Sequence, residues 1–216
     1  MATVQSDDPT VIIPNLCRIL QEQGHMVGSS GSISITRDGK TYFTPSGVLK
    51  EYIQPNDIFI YKNSTPFHSP PPTKKLKRSS NSPLFEVIYD KTDADTGIHT
   101  HCMSSNLITQ VTAGNEVRIQ NQEMIKGIAK CKSGGMYKNT DELIVPIVEN
   151  APEEADLLPA ISKAIDDYPE TCAVLVRNHG IYVWGKSWQK TKIMYECYCY
   201  LFDLMIKMKQ LGITRS

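Results

Sequence analysis

"GIHTHCMSS", residues 97–105, places two of the chain's five histidines, His99 and His101, two positions apart. Side chains at i and i+2 share a face in a strand, whereas a helix turning ~100° per residue points them roughly 160° apart. Thr96, Ile98 and Thr100 around the pair favour extended backbone. The stretch therefore predicts a strand with two imidazoles aimed the same way, which suits two ligands of one ion. A His-x-His pair alone is more often structural than metal-binding, so a third ligand has to decide.

The flanking sequence alternates helical and strand patterns. Before the pair, "PLFEVIYDKT" reads as a helix; after it, "MSSNLITQVTA" reads as another. Upstream, residues 1–10 look like a loose tail, and a helix is expected after Pro14, with Leu16, Ile19 and Leu20 at helical spacing and a stop at Gly24. "ISITRDGKTYFT" predicts a hairpin turning at Asp38-Gly39, and "DIFIYK" a further strand. Residues 63–83, rich in proline and carrying Lys74, Lys75, Lys77 and Arg78, read as a loop inside the domain. "NQEMIKGIAK" is short and helical, "ELIVPIVE" a strand, and "APEEADLLPAISKAIDDY" a helix opening near Pro152. "CAVLVRNHGIYVWG" predicts two strands around a turn at 178–180; Ser187 caps a long helix that ends at Gly212. The expectation is one α/β domain over 11–216, with mostly antiparallel strands between helices.

At 216 residues the chain is long enough to bury a core without staples. Its 23 basic and 23 acidic side chains balance, which argues against general affinity for nucleic acid or membrane surfaces. The six cysteines show no C-x-x-C spacing and predict reduced thiols in a cytoplasmic protein rather than a disulfide framework. No secretory signal or membrane span is expected.

A third histidine, His179, sits in the turn of "RNHGIYVW", where a strand end beside glycine can reach into a cleft. His99, His101 and His179 would form a three-imidazole site with one open position, suited to Zn²⁺ acting as a Lewis acid. The plainer alternative, a polar turn residue, stays open on spacing alone. Three segments have the character of phosphate-binding turns: "GSSGS" at 28–32, "PSG" at 45–47 and "KRSSNS" at 77–82. Such turns are common connectors, but three of them beside a candidate metal site point to a phosphorylated small molecule. The basic run is read as solvated or close to phosphate. The aromatic residues Trp184, Trp188, Tyr195, Tyr198 and Tyr200 are read as core and subunit contact.

"GSSGSISI", "YFTPSGVLKE", "SPLF", "IHTH", "NQEMIKGI", "SGG", "VPIVENAPEE" and "AVLVRNHGIYVWG" together resemble the class II aldolase/adducin-like family over nearly the whole chain. "IHTH" is widely shared among its sugar-phosphate aldolases and epimerases. "QEMIKGI" with "VPIVENAPEE" points more narrowly, to a dehydrating branch acting on 5-methylthioribulose 1-phosphate in methionine salvage. The resemblance implies a three-layer α/β/α fold around a mostly antiparallel sheet and a homotetramer. It implies one Zn²⁺ per subunit on His99, His101 and His179, in a cleft near a subunit boundary. It assigns acid/base chemistry to Glu123, and substrate contacts to Gly28, Ser29, Ser46, Gly47, Ser80 and Asn81. Animal members are also associated with an apoptotic protease-activating factor. Two positions depart from the pattern: Asn81 stands where animal relatives carry cysteine, and Ser30 and Ser32 stand where glycine or asparagine is frequent.

Two other functions compete. A sugar-phosphate aldolase or epimerase would share the scaffold, but aldolases of the family place a glutamate near 79–83, where this chain has Ser-Ser-Asn-Ser-Pro. A non-catalytic, adducin-like interaction protein would have lost the metal histidines, and all three are present.

Overall fold

The computed structural model describes residues 7–213. Helix α1 (Pro9–Glu22) leads into a hairpin of β1 (Ser32–Arg37) and β2 (Lys40–Phe43). Asp38 and Gly39 at its tip have φ of 50° and 69°, the paired positive values of a tight two-residue turn. After the short β3 (Pro45–Ser46) come β4 (Phe59–Lys62), β5 (Thr65–His68) and β6 (Lys77–Arg78), then α2 (Ser82–Lys91), β7 (Thr96–Thr100) and α3 (Met103–Val111). The second half holds β8 (Glu116–Ile119), β9 (Leu143–Val148), α4 (Leu158–Asp167), β10 (Ala173–Val176), β11 (Gly180–Gly185) and α5 (Trp188–Gln210).

Nine strands form one sheet in the order β5-β4-β2-β1-β7-β11-β10-β9-β8, and β3 pairs with β6 beside it. Among the described residues, only β9 and β10 run parallel; every other neighbouring pair is antiparallel. Strand alternation sorts the core into two faces. Ile181 and Val183 of β11 face α1, α3 and α5, whereas Tyr182 and Trp184 face α2 and α4. The result is the expected three-layer α/β/α arrangement. His99 and His101 share the face of Tyr182, because Tyr182 is the direct partner of His99 in the β7–β11 ladder.

Several local expectations change. Asp8 accepts from the Thr10 amide and Pro9 occupies the first turn, so α1 starts before Pro14 and runs through it. Residues 1–6 of the expected tail lie outside the described residues. The 63–83 segment carries more structure than a loop: β5 is a fully exposed edge strand and β6 pins Lys77 to Ser46. Its cations are partly used within the fold, Lys74 on Asp57 and Arg78 on Glu86, with Arg78 also lying over the Tyr61 ring. The helix expected from Pro152 divides into a 3₁₀ turn (Glu154–Leu157) and α4, with Pro159 taking the first turn of the true helix. Strand β8 has no counterpart in the sequence reading. Tyr195 and Tyr198 of α5 are buried, as is Trp184, while Tyr200 is exposed.

Gly97 is a packing requirement. A Cβ there would overlap the Phe85 ring that holds α2 against β7. Gly97→Ala is expected to lower stability by about 1–3 kcal/mol through overpacking, read as a lower melting temperature. Adding Phe85→Leu should recover part of the loss.

Candidate metal centre

The end of β7 and the turn before β11 bring the three histidines together. The register pairs Thr100 with Ile181, so His101 leaves β7 beside the point where His179 enters β11. Gly180 makes this approach possible, since a Cβ there would collide with the Thr100 carbonyl. Arg177 braces the turn: its guanidinium donates to the carbonyls of Thr109 and Gly114 and to Glu149, while the Asn178 amide donates to Thr109 Oγ1.

His101 Nε2 lies 3.0 Å from His99 Nε2 and 2.7 Å from His179 Nε2. The Nδ1 of His99 donates to the Ile181 carbonyl at 3.0 Å, and the Nδ1 of His179 to Asn150 Oδ1 at 3.0 Å. With those protons committed, both Nε2 atoms turn lone pairs toward His101. A single proton on His101 Nε2 is the most a metal-free cluster can place among them. Tetrahedral Zn²⁺ with Zn–N bonds of about 2.0–2.1 Å separates its ligand nitrogens by about 3.3 Å, so these rings need to part by only a few tenths of an ångström. The donor set fits a divalent ion.

Electrostatics agree with the geometry. Burial pushes the His99 imidazolium well below its ordinary range, helped by His101 and His179. Burial, then His179 and Lys50, bring His101 down to about 4. Burial also lowers His179, against the opposing pull of Glu154. All three rings are neutral near pH 7, the state that ligates metal. A cavity of about 410 Å³ opens on His101 and His179 and is walled by Asn106, Asn150, Glu154 and Asn178.

The three small-residue segments converge on the same end of the sheet. Ser32 pairs with His99, which sets the 28–32 loop beside the ligand strand. Ser46 pairs with Lys77, and the Ser79 amide donates to the Thr44 carbonyl, joining the 45–47 turn to the 77–82 segment. Gly28 and Gly47 both have φ of 64°, and with Ser29 and Ser80 they line the exposed rims of these turns. Asn81 is buried and accepts from the Tyr182 hydroxyl; the Tyr182 ring in turn stacks on His99 at 4.1 Å between centroids. Sequence reading missed Lys50. Its side chain is buried and its ammonium donates to the carbonyls of Ser29 (2.7 Å) and Val48 (3.1 Å), tying two of the loops together. It also missed Asn150, although "VPIVENAPEE" had drawn attention to that segment for other reasons.

Glu123 is not brought to the cluster. Strands β7, β9 and β10 end on the histidine side, whereas β8 runs away from it, pairing Ile119 with Leu143. Glu123 follows β8 on a 3₁₀ turn (Glu123–Gly127) at the opposite end of the sheet. Its carboxylate is 69% exposed and binds Lys126 at 2.6 Å and Asn139 at 3.2 Å.

A family model described as the class II aldolase and adducin N-terminal domain matches residues 12–206. The chain belongs to the class II aldolase and adducin family. Methylthioribulose-1-phosphate dehydratase of Bos taurus is 48% identical over 208 residues, covering 96% of this chain and 86% of the relative. The Homo sapiens protein of the same name is 46% identical, covering 97% and 87%. Among solved structures, an L-fuculose 1-phosphate aldolase superposes with a TM-score of 0.75 at 20% identity, over 98% of this chain and 91% of that one. The Thermus thermophilus enzyme of that name gives 0.69 at 16% identity, over 96% and 97%. These last two likenesses establish the fold.

The Asn150 contact makes a direct prediction. Asn150→Ala releases the Nδ1 of His179 and should weaken metal binding about 10–100-fold while leaving the fold intact, as measured by competition with a chromogenic chelator.

Proposed function

We propose that this chain is a zinc-dependent lyase that removes water from 5-methylthioribulose 1-phosphate, leaving 2,3-diketo-5-methylthiopentyl 1-phosphate, in the methionine salvage route. The observation that carries the reading is 46–48% identity, along almost the whole chain, to proteins named for that dehydration. A three-imidazole cluster and three phosphate-type turns at one end of one sheet give that chemistry a place to occur.

In this reading His99, His101 and His179 hold the zinc. Bound there, the ion would supply a positive charge beside the substrate carbonyl, making the neighbouring C3 proton more acidic. Backbone amides and hydroxyls of Gly28, Ser29, Ser46, Gly47 and Ser80 take the phosphate, with Lys50 holding the first two loops in place. The Asn81 amide supports this wall through Tyr182.

Dehydration needs a base for the C3 proton and an acid for the departing C4 hydroxyl. Glu123 is the acid/base carboxylate of this proposal. Its place at the far end of its own sheet means that it serves the metal of a neighbouring subunit, as a homotetramer with clefts at subunit boundaries allows. The exposed carboxylate, held by Lys126 and Asn139, is free to face another chain. The free thiols support a cytoplasmic setting, and among the described residues no helix is long and apolar enough to cross a membrane.

The purified protein should contain about one zinc per chain and dehydrate methylthioribulose 1-phosphate, with no cleavage of simple ketose phosphates in a parallel retro-aldol assay. Absence of dehydration by zinc-loaded protein would reject the assignment. Glu123→Gln should keep zinc and lose at least about 100-fold in kcat. Mixing Glu123→Gln with His101→Ala subunits should restore measurable turnover, because mixed tetramers contain intact composite sites. Restored activity is the signature of a carboxylate supplied across the boundary, and its absence would overturn Glu123 as the shared acid/base group.

A further inference from the structure

Cys102 and Cys199 are 97 positions apart in sequence, yet their sulfurs lie 3.4 Å from one another. Cys102 immediately follows His101 and forms the N-cap of α3; Cys199 belongs to α5, against which α3 packs. The Cys102 thiol donates to Ser105 Oγ at 3.1 Å, and Ser105 Oγ donates back to the Cys102 carbonyl at 2.8 Å. Neither residue is more than 7% exposed, but a surface cavity of about 550 Å³, lined by His25, Met103, Ser104, Glu196 and Cys199, borders Cys199 on the α5 side.

We infer that Cys102 and Cys199 form a reversible disulfide under peroxide, a modification site that ties the exit of the ligand strand to α5 and loosens the metal centre. The chemistry needs one small oxidant. The sulfur of Cys199, the residue that borders the cavity, attacks one oxygen of hydrogen peroxide; the O–O bond breaks, and the hydroxide released takes up the thiol proton as water. The resulting sulfenic acid is attacked by the Cys102 sulfur. The S–S bond forms as the S–O bond breaks, and the second water leaves with the Cys102 proton. Two thiols are oxidised and one peroxide is reduced to two waters.

Closing the pair from 3.4 Å to the ~2.05 Å of a disulfide draws the two side chains together, one of them on the residue peptide-bonded to His101. Oxidation also ends the thiol's donation to Ser105 at the N-cap of α3. The formation of the crosslink is independent of the proposed dehydration, while its effect on the metal rests on the zinc reading. Cys131 and Cys172 also meet through a side-chain hydrogen bond, with Cys172 donating to the Ala129 carbonyl, so peptide mapping has to separate the two pairs; Cys197 lies against Gly127.

The test uses the full-length protein loaded with zinc and treated with hydrogen peroxide. Intact mass should fall by two hydrogens, peptide mapping should join Cys102 to Cys199, and dithiothreitol should reverse both. Cys199→Ser and, separately, Cys102→Ser should abolish the crosslink; either variant suffices if the other fails to fold. The oxidised protein should hold zinc about 10-fold more weakly in chelator competition, and the serine variant should show no such change. Peroxide that yields only Met103 sulfoxide, with both thiols still open to alkylation, overturns the proposal. A crosslink that forms with zinc affinity unchanged overturns the coupling to the metal centre. If the protein binds no zinc even when reduced, the crosslink measurement still stands, and it is the metal reading that fails.

Discussion

His99 and His179 each spend an Nδ1 proton on a fixed oxygen, Ile181 O for one and Asn150 Oδ1 for the other. Their remaining nitrogens then crowd on His101 at 3.0 and 2.7 Å. Burial holds the rings below their ordinary imidazolium range, which leaves a neutral donor set that fits a divalent cation. The rest of the site follows from meeting that requirement. The β7–β11 register sets His99 against Tyr182, Gly180 lets the two backbones close, and Arg177 stiffens the turn that presents His179.

The same register divides the molecule by function. One end of the sheet carries the imidazoles, the small-residue turns and the buried Lys50 that ties two of those turns together. The opposite end carries Glu123 on its exposed 3₁₀ turn. A reaction needing both a metal and that carboxylate cannot be completed inside one subunit of this shape. In the proposed dehydration, the carboxylate would come from a second subunit.

Much of this was legible from local pattern. The Asp38-Gly39 turn, the long helix after Ser187 and the strand pair around His179 depend on residues close in sequence, and they appear where spacing placed them. Boundaries went astray where a capping side chain or a second proline outweighed the first signal, as with Asp8 before α1 and Pro159 in α4. Strand β8 escaped notice because four residues in an edge position carry almost no periodicity. Lys50 escaped because a lone lysine reads as surface until its ammonium is seen against two carbonyls. The fate of Cys102, open in the sequence, became specific only when Cys199 appeared beside it.

By itself the sequence determined the residue types and their local spacing. His99 and His101 had to share one face of a strand, His179 had to sit in a tight turn, and three small-residue turns had the composition to present amides and hydroxyls. Those are consequences of backbone period and side-chain chemistry over a few residues. Only the tertiary structure decided that His179 meets the other two, that Asn150 orients it, and that Glu123 lies at the wrong end of its own sheet. Each of these depends on strand order and register, which join residues far apart in the chain and are chosen by the burial of both faces of the sheet together.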